Sequence, residues 1–134
     1  MIKYTKGNFK YQLRKKCSRR VDIIGITINL DFIRLTPIGI LIAKKGYVWD
    51  GPSGPTIDDK YNMEASLFHD VLAELMRQGK LPLLYLEYSN QLLRDICLEK
   101  GMSDFRADYY YTGVSLIGEG FAHPDNKRKV YVIE

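Results

Sequence analysis

The sequence predicts an α+β fold in which a small antiparallel sheet from the N-terminal part packs against about three helices. Residues 1–50 alternate apolar and polar side chains or run in β-branched stretches, as strands do. From residue 57 to residue 118 the apolar residues recur instead at helical spacing. With 134 residues, 46% hydrophobic and 27% charged, the chain has the size and composition of a single domain, 1–134.

The strands are predicted from three stretches of the N-terminal part. FKYQLRKKCSRRVDI places Phe9, Tyr11 and Leu13 on one face, and IGITINL continues with β-branched residues. In FIRLTPIGILIAKKGYVW, two apolar runs flank TPIG, where Pro37 and Gly39 hold the first central and the fourth position of a type I turn. These stretches predict two strands followed by a hairpin.

The first helix is predicted to follow Thr56 and Asp59, which resemble a capping box, and to end near Gly79. Its core-facing side is predicted from the apolar positions Ala65, Phe68, Leu72, Leu75 and Met76. A second helix should have Pro82 in its first turn and end at Gly101.

A third helix should begin after the capping residue Ser103 and contain Tyr109 to Tyr111. Gly118, Gly120 and Pro124 are expected to break it. Residues 127–133 can then form a strand that closes the sheet.

The loop GYVWDGPSGP, residues 46–55, alternates glycine with proline and therefore predicts a defined shape. The side chains of Asp50 and Ser53 supply its hydrogen-bonding chemistry, and His69 and Asp70 follow on the first helix. His69 falls at the edge of the apolar arc, and the residues one turn away, Ser66 and Ala73, are small. We therefore expect the loop to pack there, with Asp50 or Ser53 within hydrogen-bonding or one-water distance of His69.

The same geometry predicts that Trp49, the single tryptophan, is largely buried against Phe68 or Met76.

This loop, followed after about a dozen residues by ASLFHD in a helix, resembles a family of small phage and prophage proteins classed as a domain of unknown function. The family resembles this arrangement in its two or three strands, a G-[FY]-x-[TW]-D-x-x-S-x-P loop and an A-x-x-x-H-D helix. The likeness covers roughly residues 33–77, and more loosely 90–111. It implies phage origin and this fold. The family often has Ala-Asp where this chain has Ser89 and Asn90, so a carboxylate is missing there.

Two catalytic interpretations fit the loop and helix. Asp50, His69 and Asp70 could hold a divalent metal that activates water, although the second histidine, His123, is far downstream. Alternatively, Ser53 could act as a nucleophile with His69 as base and Asp50 or Asp70 orienting the imidazole. Only the metal interpretation needs a cofactor.

A structural interpretation fits the same residues. Asp50 and Ser53 can satisfy backbone groups of the loop, His69 can donate to a loop carbonyl, and Asp70 can pair with Arg77. In this case the four side chains clamp the loop onto the helix.

Contact residues are more abundant than catalytic ones. Ten tyrosines include the run at Tyr109, Tyr110 and Tyr111, at least one of which must face solvent. Basic clusters occur at Arg14, Lys15, Lys16, Arg19 and Arg20, and at Lys127, Arg128 and Lys129. A net charge of +4 allows weak binding to nucleic acid. The leading expectation is binding to a host or phage macromolecule, with a protein preferred; a small hydrolase is the alternative.

Location is predicted from the same sequence. The chain lacks an apolar run long enough for a membrane span, and Cys17 and Cys97 have no metal-ligand spacing. We expect reduced thiols, no membrane partner, and a place in the cytoplasm of the infected cell or in the virion.

Overall fold

The computed structural model describes residues 2–5, 11–52 and 59–122, the last six of these by backbone alone. It confirms the α+β class. The strands are β1 (Tyr4–Thr5), β2 (Tyr11–Leu13), β3 (Cys17–Arg20), β4 (Ile28–Asn29), β5 (Ile33–Leu35), β6 (Ile40–Ala43) and β7 (Val48–Trp49). The helices are α1 (Met63–Arg77), α2 (Leu86–Glu99), which a short 3-10 turn at Leu83–Tyr85 precedes, and α3 (Asp104–Ala122).

The strands form two antiparallel sheets, with orders β1-β2-β7 and β3-β6-β5-β4. The chain passes between the two sheets at two places, from β2 to β3 and from β6 to β7. The amide of Leu13 bonds the carbonyl of Tyr47 across this junction at 2.9 Å. Because β7 is an edge strand, the loop after Trp49 leaves from a sheet edge.

The predicted TPIG turn joins β5 to β6. The amide of Gly39 donates to the carbonyl of Thr36 at 3.0 Å, which closes the turn. Gly39 has φ +93°, and a Cβ there would lie 2.6 Å from the carbonyl oxygen of Val21, so glycine is required on both grounds.

One face of the four-stranded sheet is buried in the hydrophobic core. Ile33, Leu35, Leu41 and Ala43 point inward, whereas Arg34, between two of them, is exposed. This alternation follows from the two-residue period of a strand.

Helix α1 lies at the centre of the helical layer and is buried on nearly all sides, because the core, α2 and α3 all pack against it. It begins at Met63, later than the capping box predicted; Thr56 lies outside the described residues. The Asp59 carboxylate instead accepts the amide of Tyr61 at 2.9 Å, in the turn before the helix. At the other end, Gly79 adopts φ +70°, which confirms the predicted terminus.

Helix α3 confirms one predicted boundary and corrects the other. The Ser103 hydroxyl accepts the amide of Arg106 at 3.3 Å, as a capping residue does. The helix then continues through Gly118 and Gly120 to Ala122, so the break predicted at these two glycines is wrong. Pro124 lies outside the described residues. A glycine inside a helix costs only about 1 kcal/mol relative to alanine, which neighbouring helical turns can absorb.

The closing strand predicted at 127–133 lies outside the described residues. Among the helices described, none has the length and apolar content needed to cross a membrane.

Candidate functional site

The glycine–proline loop begins on the surface of α1. Trp49 is 4% exposed, which confirms its predicted burial, and its indole Nε1 donates to the hydroxyl of Ser66 at 3.1 Å. That hydroxyl in turn donates to the carbonyl of Met63 at 2.9 Å. The loop therefore meets α1 one turn before His69, at the small residue that the sequence indicated.

His69 is buried, with 7% of its surface exposed, and its Nε2 lies 2.8 Å from Oδ1 of Asn90 on α2. Since a carbonyl oxygen only accepts hydrogen bonds, Nε2 carries a proton and donates. In the neutral ring Nδ1 is then the basic nitrogen. Asn90 is itself 2% exposed, so this bond joins two helices in the interior.

The buried position keeps the imidazole of His69 neutral. Burial lowers its pKa below the ordinary 6.5, the bond to Asn90 acts in the opposite direction, and the nearby positive charge of Arg77 lowers the pKa further. His69 was expected at the boundary of the apolar arc, and this was wrong because α1 has packing partners on both sides.

A second buried polar group lies where β7 approaches α1. The hydroxyl of Tyr47 donates to the Glu74 carboxylate at 3.1 Å. Burial raises the pKa of Tyr47 well above its ordinary value, and the carboxylates of Glu74 and Asp70 raise it further. Arg77 opposes them, so charges of both signs surround this phenol.

The structure describes three of the four predicted catalytic residues, Asp50, His69 and Asp70. Asp50 is exposed directly after the buried Trp49, and Asp70 is half-buried beside His69 in sequence. Ser53 lies outside the described residues, so its predicted distance to His69 stays a prediction. At Nε2 the orienting partner is Asn90 and neither aspartate.

The described residues contain no group of three or more His, Cys, Asp or Glu side chains that could hold a metal ion. Asp50, His69 and Asp70 therefore do not form the three-ligand site that the metal interpretation requires. One of the two imidazole nitrogens of His69 is already bonded to an amide.

The tyrosine run divides among three environments, as the helical period requires. Tyr109 is 54% exposed, which confirms that at least one ring faces solvent, and Tyr111 donates to the Glu87 carboxylate. Tyr110 is buried at 2% exposure, which corrects its assignment to an interaction surface. Lys127, Arg128 and Lys129 lie outside the described residues.

The N-terminal basic cluster also divides. Arg14, Lys15, Lys16 and Arg20 are exposed. Arg19 turns inward and bonds Glu64 at 2.7 Å and Glu99 at 2.9 Å, which ties β3 to α1 and to the end of α2.

Of these contacts, sequence reasoning missed the Tyr47–Glu74 bond and the pairing of Asn90 with His69. The position of Asn90 had a signal, since the resembled family often carries an aspartate there. Comparison of the chain with protein-family models, with curated proteins and with solved structures found no match.

Proposed function

We propose that this protein is a phage-encoded accessory protein that binds a host or phage protein through the solvent-facing side of α3. The phage assignment rests on the resemblance of the GYVWDGPSGP loop and the ASLFHD helix. The binding assignment rests on one observation, an apolar stripe on α3 that faces away from the core.

The stripe consists of Phe105, Tyr109 and Leu116, which are 81%, 54% and 81% exposed. At 100° per residue these three side chains fall within about 40° of one another. The buried residues of the same helix, Tyr110 and Val114, lie on the opposite side. Helix α3 is thus apolar on two faces, and only one of them is covered by the described residues.

The spacing favours a helical partner. Positions 105, 109, 112 and 116 follow the alternating four and three residue steps of a coiled-coil seam, with Thr112 as the polar member. Two ion pairs border the stripe, Arg94 with Asp108 at 2.6 Å and Arg106 with Asp59 at 2.7 Å. A partner helix with an apolar face and a polar border would fit this arrangement.

Affinity capture from host and phage-infected lysates tests the proposal. The double variant Tyr109→Ser/Leu116→Ser should lose the captured protein, because it removes most of the apolar contact area. Ile24→Ser/Ile38→Ser is the matched control, since these residues are 64% and 62% exposed on the β layer. Equal capture by all three proteins would contradict the proposal, as would capture that the control abolishes. Circular dichroism establishes that each variant is folded.

Further evidence for the correct partner would come from the reconstituted pair. A peptide with the sequence of the partner's apolar helix should compete for capture, and a peptide with that face made polar should not.

A second candidate function is a serine hydrolase, which the bond between His69 and Asn90 favours. An amide that accepts from one imidazole nitrogen fixes the tautomer and leaves the other nitrogen as the base. The lowered pKa keeps that base unprotonated at neutral pH. Ser53, four residues after the anchored Trp49, would be the nucleophile.

A serine-directed phosphonate probe and a panel of activated esters test this candidate. Labelling should require Ser53 and His69 and should survive Ser18→Ala, which changes an exposed serine on β3. Labelling that persists in Ser53→Ala, or its absence from the wild-type protein, would reject the hydrolase.

A further inference from the structure

We propose that the solvent-facing side of the four-stranded sheet binds single-stranded nucleic acid. We call this surface the open face. It consists of Lys16, Arg20, Phe32, Arg34, Ile42 and Lys44. It belongs to the β layer and is separate from the α3 stripe of the proposed function.

Strand register places these side chains together. The central row of the open face crosses all four strands and consists of Ser18, Ile42, Arg34 and Asn29. In the next row whose side chains point to solvent, Arg20 pairs with Ile40. On the other side of that central row, the amide of Lys44 bonds the carbonyl of Phe32 at 2.8 Å. Lys16 immediately precedes Cys17, which pairs with Ala43.

The inward residues of the same strands fill the core. Because successive side chains of a strand point to opposite faces, the side chains of the open face point toward solvent. Arg20, Arg34 and Lys16 are exposed, and Ile42 is half-buried between them. The centre of the open face is therefore one half-buried isoleucine among polar and cationic side chains.

The cations of the open face keep their charge available. Within the described residues, Lys16, Arg20 and Arg34 form no ion pair, in contrast to Arg19, which points inward to two carboxylates. The ammonium of Lys44 bonds Oδ1 of Asn29 and the carbonyl of Leu30, at 2.9 and 2.6 Å. Both of these acceptors are neutral, so they position the ammonium without cancelling its charge.

The distribution of charge along the chain points to an anionic partner. Residues 1–49 contain 11 Lys and Arg against 2 Asp and no Glu, a net charge of +9. The remaining residues contain 9 Lys and Arg against 14 Asp and Glu, a net charge of −5. The modest total of +4 thus hides a strongly basic N-terminal part, whose described residues form the two sheets. Such a concentration of positive charge is the electrostatic signature of a polyanion-binding surface.

Phe32 selects single strands among polyanions. Its ring is 50% exposed and rests on Gly46, where a Cβ would lie 3.0 Å from the ring. A ring held on one side by backbone can stack a nucleobase with its other side, while Lys44 and Arg34 bind the flanking phosphates. Paired bases would not be free to stack, and a lipid surface would take up the ring by insertion rather than by stacking on one of its faces.

Fluorescence anisotropy with labelled oligo(dT) and oligo(rU) tests the inference, with a duplex of equal length and anionic vesicles of phosphatidylserine and phosphatidylcholine as competitors. We expect single strands to bind more tightly than either competitor. The variant Arg20→Gln/Arg34→Gln should weaken binding about tenfold or more. The slope of log K against log salt concentration should also become shallower by about 1.4, because each of two lost phosphate contacts on a single strand contributes about 0.7.

Lys60→Gln/Lys80→Gln is the matched control, because it makes the same change of net charge at exposed positions of the helical layer. Its affinity should stay within about twofold of wild type if the open face is the site. Phe32→Leu, which keeps an apolar contact over Gly46, should weaken single-strand binding several-fold at unchanged salt slope.

Four outcomes would overturn the inference: no binding at low salt, equal losses in the two charge variants, tighter binding to duplex or vesicles, or unchanged binding by Phe32→Leu. Oligo(dT) and oligo(rU) affinities decide between DNA and RNA. Tyr109→Ser/Leu116→Ser should leave oligonucleotide affinity unchanged, so failure of this inference is distinguishable from failure of the α3 proposal.

Discussion

His69 and Asn90 satisfy each other inside the helical layer, where each alone would be a buried polar group with a lost bond. The net contribution of such a bond to stability is modest, but removing one partner carries the desolvation cost of the other. The His69–Asn90 bond therefore stabilises one way of packing α1 against α2. This structural role does not depend on whether the imidazole also serves in catalysis.

A double-mutant cycle tests this interpretation. His69→Leu and Asn90→Leu should each lower the free energy of unfolding by about 1–3 kcal/mol, because each leaves one buried polar group unsatisfied. The double variant should lose clearly less than the sum, since it leaves neither. Urea unfolding monitored by circular dichroism measures all four proteins.

Gln91→Ala is the control for the cycle, since Gln91 is an exposed amide on the same helix. Its effect should stay within about 0.5 kcal/mol. Strict additivity of the two leucine variants would contradict the proposed coupling.

The same imidazole predicts a dependence of stability on pH. Its folded-state pKa lies below the ordinary 6.5, so between the two values the unfolded chain binds the proton more readily. The stability contributed by neutral His69 is fully present above about pH 6.5 and is lost as the pH falls through the folded-state pKa.

His69→Gln isolates this contribution, because an amide can still donate to Asn90 but does not titrate. Between pH 7.5 and pH 5 the variant should lose less thermal stability than the wild type, as measured by melting curves in buffers of constant ionic strength. Parallel losses would mean that carboxylates alone account for the change.

At the scale of elements, sequence signals were reliable where local chemistry decides the outcome. The turn at Pro37 to Gly39, the end of α1 at Gly79 and the cap at Ser103 all depend on dihedral preferences or short-range hydrogen bonds. The break predicted at Gly118 failed, because helix propensity is a weak preference that the rest of a helix can override.

The division into two sheets could not be read from alternation alone. Alternation identifies a strand and its two faces. The point where the chain leaves one sheet for the other, near Leu13 and Tyr47, depends instead on contacts between residues far apart in sequence. The burial of His69 escaped prediction for a related reason. A helical wheel assigns one apolar arc, but α1 has neighbours on more than one side.

The anchoring of the loop on α1 is a further prediction at this scale. Ser66→Ala removes the acceptor for the Trp49 indole and leaves Nε1 buried, so it should cost about 1–3 kcal/mol of unfolding free energy. Trp49→Phe/Ser66→Ala should cost less than the two single changes added together, because both members of the bond are then apolar.

Ser18→Ala on β3 provides the control for this loop prediction, since its side chain is exposed. Chemical denaturation measures each variant. A negligible effect of Ser66→Ala would show that the hydrogen bond contributes little to the anchoring of Trp49.

On the scale of the whole molecule, the β layer and the helical layer differ in charge as well as in secondary structure. The His69–Asn90 pair lies between α1 and α2 within the helical layer, the open face lies on the β layer, and the α3 stripe lies on the solvent side of the helical layer. Sequence patterns indicated that the loop after Trp49 meets the helix that carries His69. They did not predict the bonding partner of His69, since Asn90 reaches it only through the packing of α1 on α2.

The uneven charge should itself be visible in folding, without any ligand. Concentrating a net charge of +9 in residues 1–49 makes nearby cations of the open face repel one another, and folding brings them closer than they are in the unfolded chain. Salt screens this repulsion, since the Debye length falls from about 30 Å at 10 mM to about 8 Å at 150 mM. We therefore expect the melting temperature to rise over this range, and Arg20→Gln/Arg34→Gln to melt higher than the wild type at 10 mM salt.

Lys60→Gln/Lys80→Gln, which removes cations from the acidic part of the chain, should show no such gain. If the two variants respond alike, or if salt lowers the melting temperature of the wild type, repulsion on the open face is not a significant term in the stability of this fold, and its cations are more widely dispersed in solution than their register indicates.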